Sequence, residues 1–209
     1  RLLPTADFWH RVGFSALRIL TGFVLAVTVG LLLGACGARW RWFGTLVGPV
    51  MQLIRAMPVA SFVILALLWV SGKNLSVIVS FTHVLPVVYA GTVGGIADTD
   101  PALLEMAKVY RLPLGKRLRY IWLPGMFPSF CENCIAAMGM CWKSGVSAEV
   151  IGLPDHSVGD ALYRAKITIS TPEVFAWTLV IVLLSATLST LAAWALRRAK
   201  RALCGEVEG

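Results

Sequence analysis

Long apolar runs dominate the pattern of residues along this chain. Three stretches without a charged residue, 19–38, 74–97 and 174–196, are 20, 24 and 23 residues long. An α-helix rises about 1.5 Å per residue, so about 20 residues cross a hydrocarbon layer roughly 30 Å thick. The pattern therefore predicts membrane-spanning helices over about 14–36, 75–97 and 174–196.

A further apolar segment, 46–71, is interrupted by polar and helix-breaking residues. It contains Arg55 and, three residues later, Pro58. Proline is accepted in the first turn of a helix but breaks a helix interior. We therefore predict a broken span of two helical pieces, 46–57 and 58–71.

A fifth span is predicted over 124–146, although this segment contains Glu132 and Lys143. A charge that faces lipid is costly, so these side chains should face protein or water. The predicted fold is an all-α polytopic membrane protein that forms one transmembrane domain over residues 1–209. Composition agrees, because 57% of the residues are hydrophobic and 14% are charged, against about 25% charged in soluble domains.

The distribution of Lys and Arg predicts the orientation of these spans. With five spans, 11 of the 19 basic residues fall on the side that holds loop 98–123 and the C-terminal tail. Basic residues concentrate on the cytoplasmic side of membrane proteins, so this side is cytoplasmic and segment 147–173 is external. Five spans leave Arg1 outside, and we expect a sixth span upstream of it. The net charge of +8 needs no nucleic-acid partner, because basic span ends are ordinary.

Loop 98–123 has the pattern of a short amphipathic helix followed by a basic piece. Asp100 can cap a helix that has Pro101 at its first position and stops before Pro113. Such a helix needs a docking partner, and it would present Leu103, Leu104, Met106, Ala107 and Tyr110 to a shallow groove. The alternative is a basic loop that only faces anionic lipid.

The spacing of this loop resembles a known motif. Glu105-Met106-Ala107, then Gly115, then Leu123-Pro124 resembles the "EAA" loop of binding-protein-dependent ABC importer permeases. Segments 55–58, 142–152 and 175–184 resemble the nitrate/sulfonate/taurine-type branch of that family. The resemblance implies coupling helices that sit in a cleft of a cytoplasmic ATPase subunit. The residues it assigns to this coupling are Glu105, Met106, Ala107, Tyr110, Arg111, Gly115, Leu123 and Pro124.

The loop departs from the family pattern at two positions. Met106 replaces the second Ala, and Arg111 stands where a Gly is usual, six residues after Glu105. If that Gly permits a turn, we expect 112–113 or Gly115 to make the turn here instead.

The resemblance also implies the function and the partners. The chain would be the permease subunit of an ATP-driven importer in a bacterial inner membrane, moving a small, sulfonate- or nitrate-like solute by alternating access. It would work with ATPase subunits, a second permease copy, an external substrate-binding protein and membrane lipids. The sequence has no G-x-x-x-x-G-K-[ST] phosphate loop and no catalytic motif. We therefore expect a transport subunit that is not an enzyme and binds no cofactor, with ATP and Mg²⁺ on the partner.

Charged residues and helix breaks within spans are candidates for the translocation pathway, because they are costly in lipid. The candidates are Arg55, Pro58, His83, Lys143 and Glu149. Three of them have a structural alternative: Arg55 can extend to the interface or pair with an acidic group, His83 can pack through a hydrogen bond, and Lys143 can anchor its helix. Glu149 is expected to begin the external segment.

Two other functions remain open from the residues alone. One is an ATP-independent channel or secondary transporter. The other is a metal or cofactor carrier that uses Cys131, Cys134 and Cys141, although their spacing is weak evidence and no metal site is predicted.

Overall fold

The structure is a computed structural model, and it describes residues 6–204. Within that range every regular element is helical, which confirms the all-α class. The helices are α1 (Ala6–Arg39), α2 (Arg41–Ala56), α3 (Val59–Ala66), α4 (Gly72–Ala97), α5 (Pro101–Val109), α6 (Leu114–Arg117), α7 (Leu123–Gly152), α8 (Val158–Ile167) and α9 (Thr171–Cys204). A five-residue π-helical segment, Leu118–Trp122, joins α6 to α7.

Helix α4 is the centre of the molecule and packs against both α1 and α7. Small residues allow the close approach of α1 to α4. A Cβ added at Gly22 would lie 2.5 Å from the Val77 carbonyl oxygen, and one added at Gly34 would lie 2.6 Å from Thr92 Cβ. Larger residues would force these helices apart.

The outer helices cover the centre unevenly. Helix α9 packs against α7 and α8, while α3 packs against α4 and α7. The most apolar 18 residues of α9 include no buried position. One face of the molecule is therefore apolar and uncovered, as expected where lipid or another protein completes the packing.

The chain turns sharply between α2 and α3. The two helices are bent by 99° relative to each other, and Pro58 is the N-cap of α3, with φ −62° and ψ 130°. Proline has no N–H to continue the hydrogen-bonding pattern of α2, so the helix ends before it.

Three helices in the described range are long and apolar enough to cross a membrane: Ala6–Arg39, Gly72–Ala97 and Thr171–Ala199. The bent pair α2–α3 makes a fourth if the two pieces form one span. Helix α7 has 30 residues, enough for about 45 Å, but it contains Glu132, Lys143 and Glu149. The five-span count therefore stays a prediction.

Candidate functional site

The loop between α4 and α7 folds into a helical pair, α5 and α6. Asp100 caps α5, because its Oδ1 accepts a hydrogen bond of 2.8 Å from the Ala102 N–H. Pro101 is the first helical residue. The cap and the proline position predicted from the sequence are confirmed.

Helix α5 ends at a turn that Arg111 makes. The Arg111 N–H donates to Lys108 O (3.1 Å) and the Leu112 N–H donates to Ala107 O (3.0 Å), the pattern of a Schellman motif. Arg111 has φ 50°, in the left-handed region that favours glycine. The expectation that 112–113 or Gly115 would replace the missing glycine is therefore wrong. Gly115 lies inside α6, and Arg111 adopts the glycine conformation itself.

A long-range hydrogen bond holds the pair together. The Arg117 guanidinium donates from Nη2 to Ala107 O over 3.0 Å, so α6 is fastened to the last turn of α5. The Ala107 side chain is fully buried at this junction. The prediction that Ala107 is presented to a partner is wrong, because its side chain is fully buried.

Most of the other positions of α5 are exposed, and several of them are apolar. Leu103 is 42% exposed, Met106 44%, Val109 79% and Tyr110 73%, and Glu105 is exposed among them. We call Leu103, Glu105, Met106, Val109 and Tyr110 the α5 face. The sequence reading missed Val109, although its spacing of three from Met106 could have indicated it.

The remaining residues assigned to coupling lie where the pair joins the helical core. Gly115 is exposed, whereas Leu123 and Pro124 are half-buried in the first turn of α7. A π-helical hydrogen bond runs from the Leu123 N–H to Leu118 O. Helix α6, the π-helical segment and α7 thus form one continuous helical run from Leu114.

Arg55 lies in the last turn of α2, beside a cavity between α2 and α4 of about 350 Å³. Its size falls in the range of small-molecule sites. Lining residues on α2 include Met51, Gln52 and Arg55, and those on α4 include Pro86, Tyr89 and Val93. Arg55 and Gln52 can donate hydrogen bonds, so the cavity offers donors and a positive charge to an anion.

The other pathway candidates do not gather around Arg55. Pro58 is exposed at the bend. His83 donates from Nδ1 to Val79 O (3.0 Å), and its ring packs edge-on against Phe62. Lys143 is exposed on α7.

Glu149 differs from its expected place at the start of an exposed segment, because it lies in the last turn of α7 and is fully buried. Its Oε2 accepts hydrogen bonds from Ser15 Oγ (2.7 Å) and from the Gly159 N–H (3.4 Å). Ser15 Oγ in turn accepts from the Val158 N–H (2.9 Å). Glu149 and Ser15 thus satisfy the free N–H groups at the start of α8.

Ion pairs extend this contact between α8 and α1. Asp160 accepts from Arg11 Nη1 (3.2 Å) and from Arg164 Nε (2.9 Å). The hydrogen bond to Asp160 raises the pKa of Arg164. Arg18 lies over the Phe14 ring, 5.0 Å from its centroid. Sequence reasoning missed Ser15 and Asp160, because no local pattern links residues so far apart.

The cysteines of α7 serve packing. Cys131, Cys134 and Cys141 are buried, and Cys141 Sγ lies 3.6 Å from Ile19 O. Across residues 6–204, no group of three His, Cys, Asp or Glu side chains is placed to hold a metal ion.

Comparison with known proteins identifies the family. Residues 19–203 match the family described as "Binding-protein-dependent transport system inner membrane component". An aliphatic sulfonates transport permease of Bacillus subtilis is 25% identical over 84% of this chain and 63% of its own length. One of Escherichia coli is 26% identical over 83% of this chain and 66% of its own length. The chain thus spans a little under two thirds of the length of these relatives.

A solved structure agrees at the level of the fold. A chain of the MetNI methionine ABC transporter, in an inward-facing conformation, superposes with a TM-score of 0.64 at 15% identity, covering 93% of both chains. The predicted resemblance to binding-protein-dependent ABC importer permeases of the nitrate/sulfonate/taurine-type branch is confirmed by the family match and these relatives. The family is one of transport components and not of enzymes, as predicted. The chain belongs to the family of inner-membrane components of binding-protein-dependent transport systems.

Proposed function

We propose that this chain is the permease subunit of an ATP-driven ABC importer and that the α5 face docks on a cytoplasmic ATPase. The observation that carries the proposal is the α5–α6 pair. It exposes apolar side chains with Glu105 among them. A hydrogen bond from Arg117 of α6 to Ala107 O of α5 holds the two helices together. An exposed apolar helix face suits a groove on a partner protein.

The proposed arrangement in the membrane has five spans: α1, the broken pair α2–α3, α4, α7 and α9. The C-terminal end of α4, the N-terminal end of α7 and the C-terminal end of α9 then lie on the cytoplasmic side. Arg197 and Arg198 near the end of α9 suit that side, which is anionic. Arg198 lies over the Trp194 ring, 5.5 Å from its centroid, and tryptophan is common at membrane interfaces.

Movement of α5 would reach α7 through the continuous helical run from Leu114. Closure of two ATPase subunits would in this way rock the helices between inward-facing and outward-facing states. A second copy of the permease would complete the pathway, and an external substrate-binding protein would deliver the solute. ATP and Mg²⁺ would be bound by the partner.

We propose a small anion as the solute, of the kind named for the sulfonate relatives. The cavity beside Arg55 supports this, because it combines a guanidinium group, the Gln52 amide and the Tyr89 ring in about 350 Å³. A sulfonate offers three acceptor oxygens to such donors.

The docking proposal is tested by reversing one charge on the α5 face. Glu105→Lys should abolish ATP-dependent uptake of aliphatic sulfonate in vesicles that contain the complete importer, while the complex still inserts. The matched control is Glu173→Lys, the same charge reversal at an exposed position in the first turn of α9. In the proposed topology Glu173 lies at the opposite end, and this variant should transport like the parent.

Two outcomes would overturn the proposal. Uptake by the Glu105→Lys variant equal to that of the parent would show that the α5 face does not couple. Purification of the permease from its own membrane without a co-purifying subunit that hydrolyses ATP would exclude an ABC importer.

A further inference from the structure

A second cavity lies between α1, α4 and the start of α7, on the side where α5 begins. It encloses about 400 Å³. Its walls are almost entirely aliphatic and aromatic, with Leu31, Ala35, Ile96 and Trp122 among them. Among the residues that the structure describes, Arg39 is the only charged one that lines it. Within residues 6–204, it shares no lining residue with the Arg55 cavity, so the two are separate.

This cavity is open at the outer surface of the helices. Leu32, which lines it from α1, is 62% exposed, and Leu118, which lines it from the π-helical segment, is 50% exposed. In a membrane protein such side chains face hydrocarbon. A groove of this kind admits an acyl chain from the side.

Charge indicates which lipid fits. Arg39 is exposed in the last turn of α1, at the end of the molecule that holds α5 and the basic residues Lys116, Arg117 and Arg119. Exposed Trp40 and Trp42 follow it, as is typical of a membrane interface. A cationic side chain at the mouth of an apolar groove is complementary to an anionic headgroup above an acyl chain.

We propose that this groove binds one acyl chain of an anionic phospholipid and that Arg39 contacts its phosphate group. The bound chain packs on Leu118 and Trp122. The occupant therefore contacts the π-helical segment that connects the α5–α6 pair to α7. This site does not depend on the identity of the transported solute or on docking of an ATPase.

Native mass spectrometry of the full chain, purified in detergent and supplied with phosphatidylglycerol or phosphatidylcholine, tests the site. The parent should retain phosphatidylglycerol preferentially. Arg39→Gln should reduce that preference about fivefold, the effect of one basic side chain at an anionic surface. The control Arg41→Gln removes an exposed Arg that does not line the groove, and it should leave the preference unchanged.

A substitution that fills the groove with a larger side chain distinguishes lipid binding at this site from general adhesion of lipid to the protein. Ala35→Trp should abolish retention of phosphatidylglycerol, because the indole would occupy the space of the acyl chain. Leu25→Trp, at a position 48% exposed on α1 and outside the groove, is the control for the added ring. Circular dichroism and gel filtration show whether both variants keep their helical fold.

Three results would overturn the proposal. Retention by a folded Ala35→Trp variant equal to that of the parent would mean that the groove is not the site. Equal effects of Arg39→Gln and Arg41→Gln would indicate only diffuse charge attraction. A photoreactive residue at position 35 that labels a peptide instead of phosphatidylglycerol would show that a protein segment fills the groove.

Discussion

Arg111 fixes the direction of the chain between α5 and α6. Its backbone is left-handed, with φ 50°, which costs a residue with a Cβ about 1–2 kcal/mol. The two hydrogen bonds of the turn and the one from Arg117 to Ala107 O hold it there. The side chain is exposed, so the cost lies in the backbone and not in packing.

Arg111→Gly should stabilise the α5–α6 turn. Glycine removes the free-energy cost of the left-handed backbone, and this gain exceeds the loss caused by its greater freedom in the unfolded chain. The net stabilisation is about 0.5–1 kcal/mol. Amide hydrogen exchange in peptides that cover 101–112 should slow about twofold to fivefold. Arg119→Gly, inside the π-helical segment, is the control and should speed local exchange. Faster exchange in Arg111→Gly would mean that the Arg111 side chain stabilises the turn.

The first backbone N–H groups of helix α8 find their hydrogen-bond acceptors on two other helices. Ser157 caps it locally, accepting from the Asp160 N–H over 2.9 Å, but the Val158 and Gly159 N–H groups donate to Ser15 of α1 and Glu149 of α7. A Cβ at Gly159 would overlap Glu149 Cβ. The start of α8 is therefore held at one position against both spans.

Replacing Glu149 should release α8. Glu149→Ala leaves the Ser15 hydroxyl and the Gly159 N–H without their buried acceptor, at a cost of about 1.5–3 kcal/mol. Hydrogen exchange in 158–167 should accelerate about tenfold to a hundredfold. Glu149→Gln keeps an acceptor oxygen and should have a smaller effect.

Lys143→Ala is the control for this prediction, because Lys143 lies on the exposed side of the same helix. It should leave exchange in α8 unchanged. Unchanged exchange in Glu149→Ala would mean that the ion pairs of Asp160 hold α8 without the carboxylate.

The elements show which features local sequence can predict. Apolar length indicated the helical class, and Asp100 before Pro101 indicated a helix start, because each signal lies within a few neighbouring residues. The place of Glu149 could not be predicted, since its partner Ser15 is 134 residues away. The left-handed backbone of Arg111 was missed, because an arginine rarely adopts it, although the glycine usual at this position in the family was a signal for it.

At the scale of the whole molecule, the two regions proposed to act in transport both adjoin the central helix α4. The α5–α6 pair follows the C-terminal end of α4, and the Arg55 cavity lies along α4 at Pro86 and Tyr89. Helices α4 and α7 pack along each other. A displacement of α5 would therefore be transmitted to α4, which lines the cavity, and to α7, which packs against α4.

Arg55→Ala should reduce uptake of aliphatic sulfonate by the complete importer. Loss of a charged hydrogen-bond donor corresponds to about 1.5–3 kcal/mol, or a tenfold to hundredfold loss of uptake at low solute concentration. Arg55→Lys should retain part of the activity. Arg41→Ala, at an exposed position of the same helix outside the cavity, should behave like the parent. Equal uptake by Arg55→Ala and the parent would exclude an anion contact at Arg55.

The π-helical segment sets the angle at which the α5 face points. A π turn contains one residue more than an α turn. The residues before it therefore point in the direction they would have in an α-helix with one residue removed. If Leu118–Trp122 adopted α-helical geometry, everything before it would rotate by about 100° around the axis of α7. Leu103 and Tyr110 would then point away from their present direction. The π-helical hydrogen-bond register, which includes the bond from the Leu123 N–H to Leu118 O, thus sets the direction of the whole α5–α6 pair.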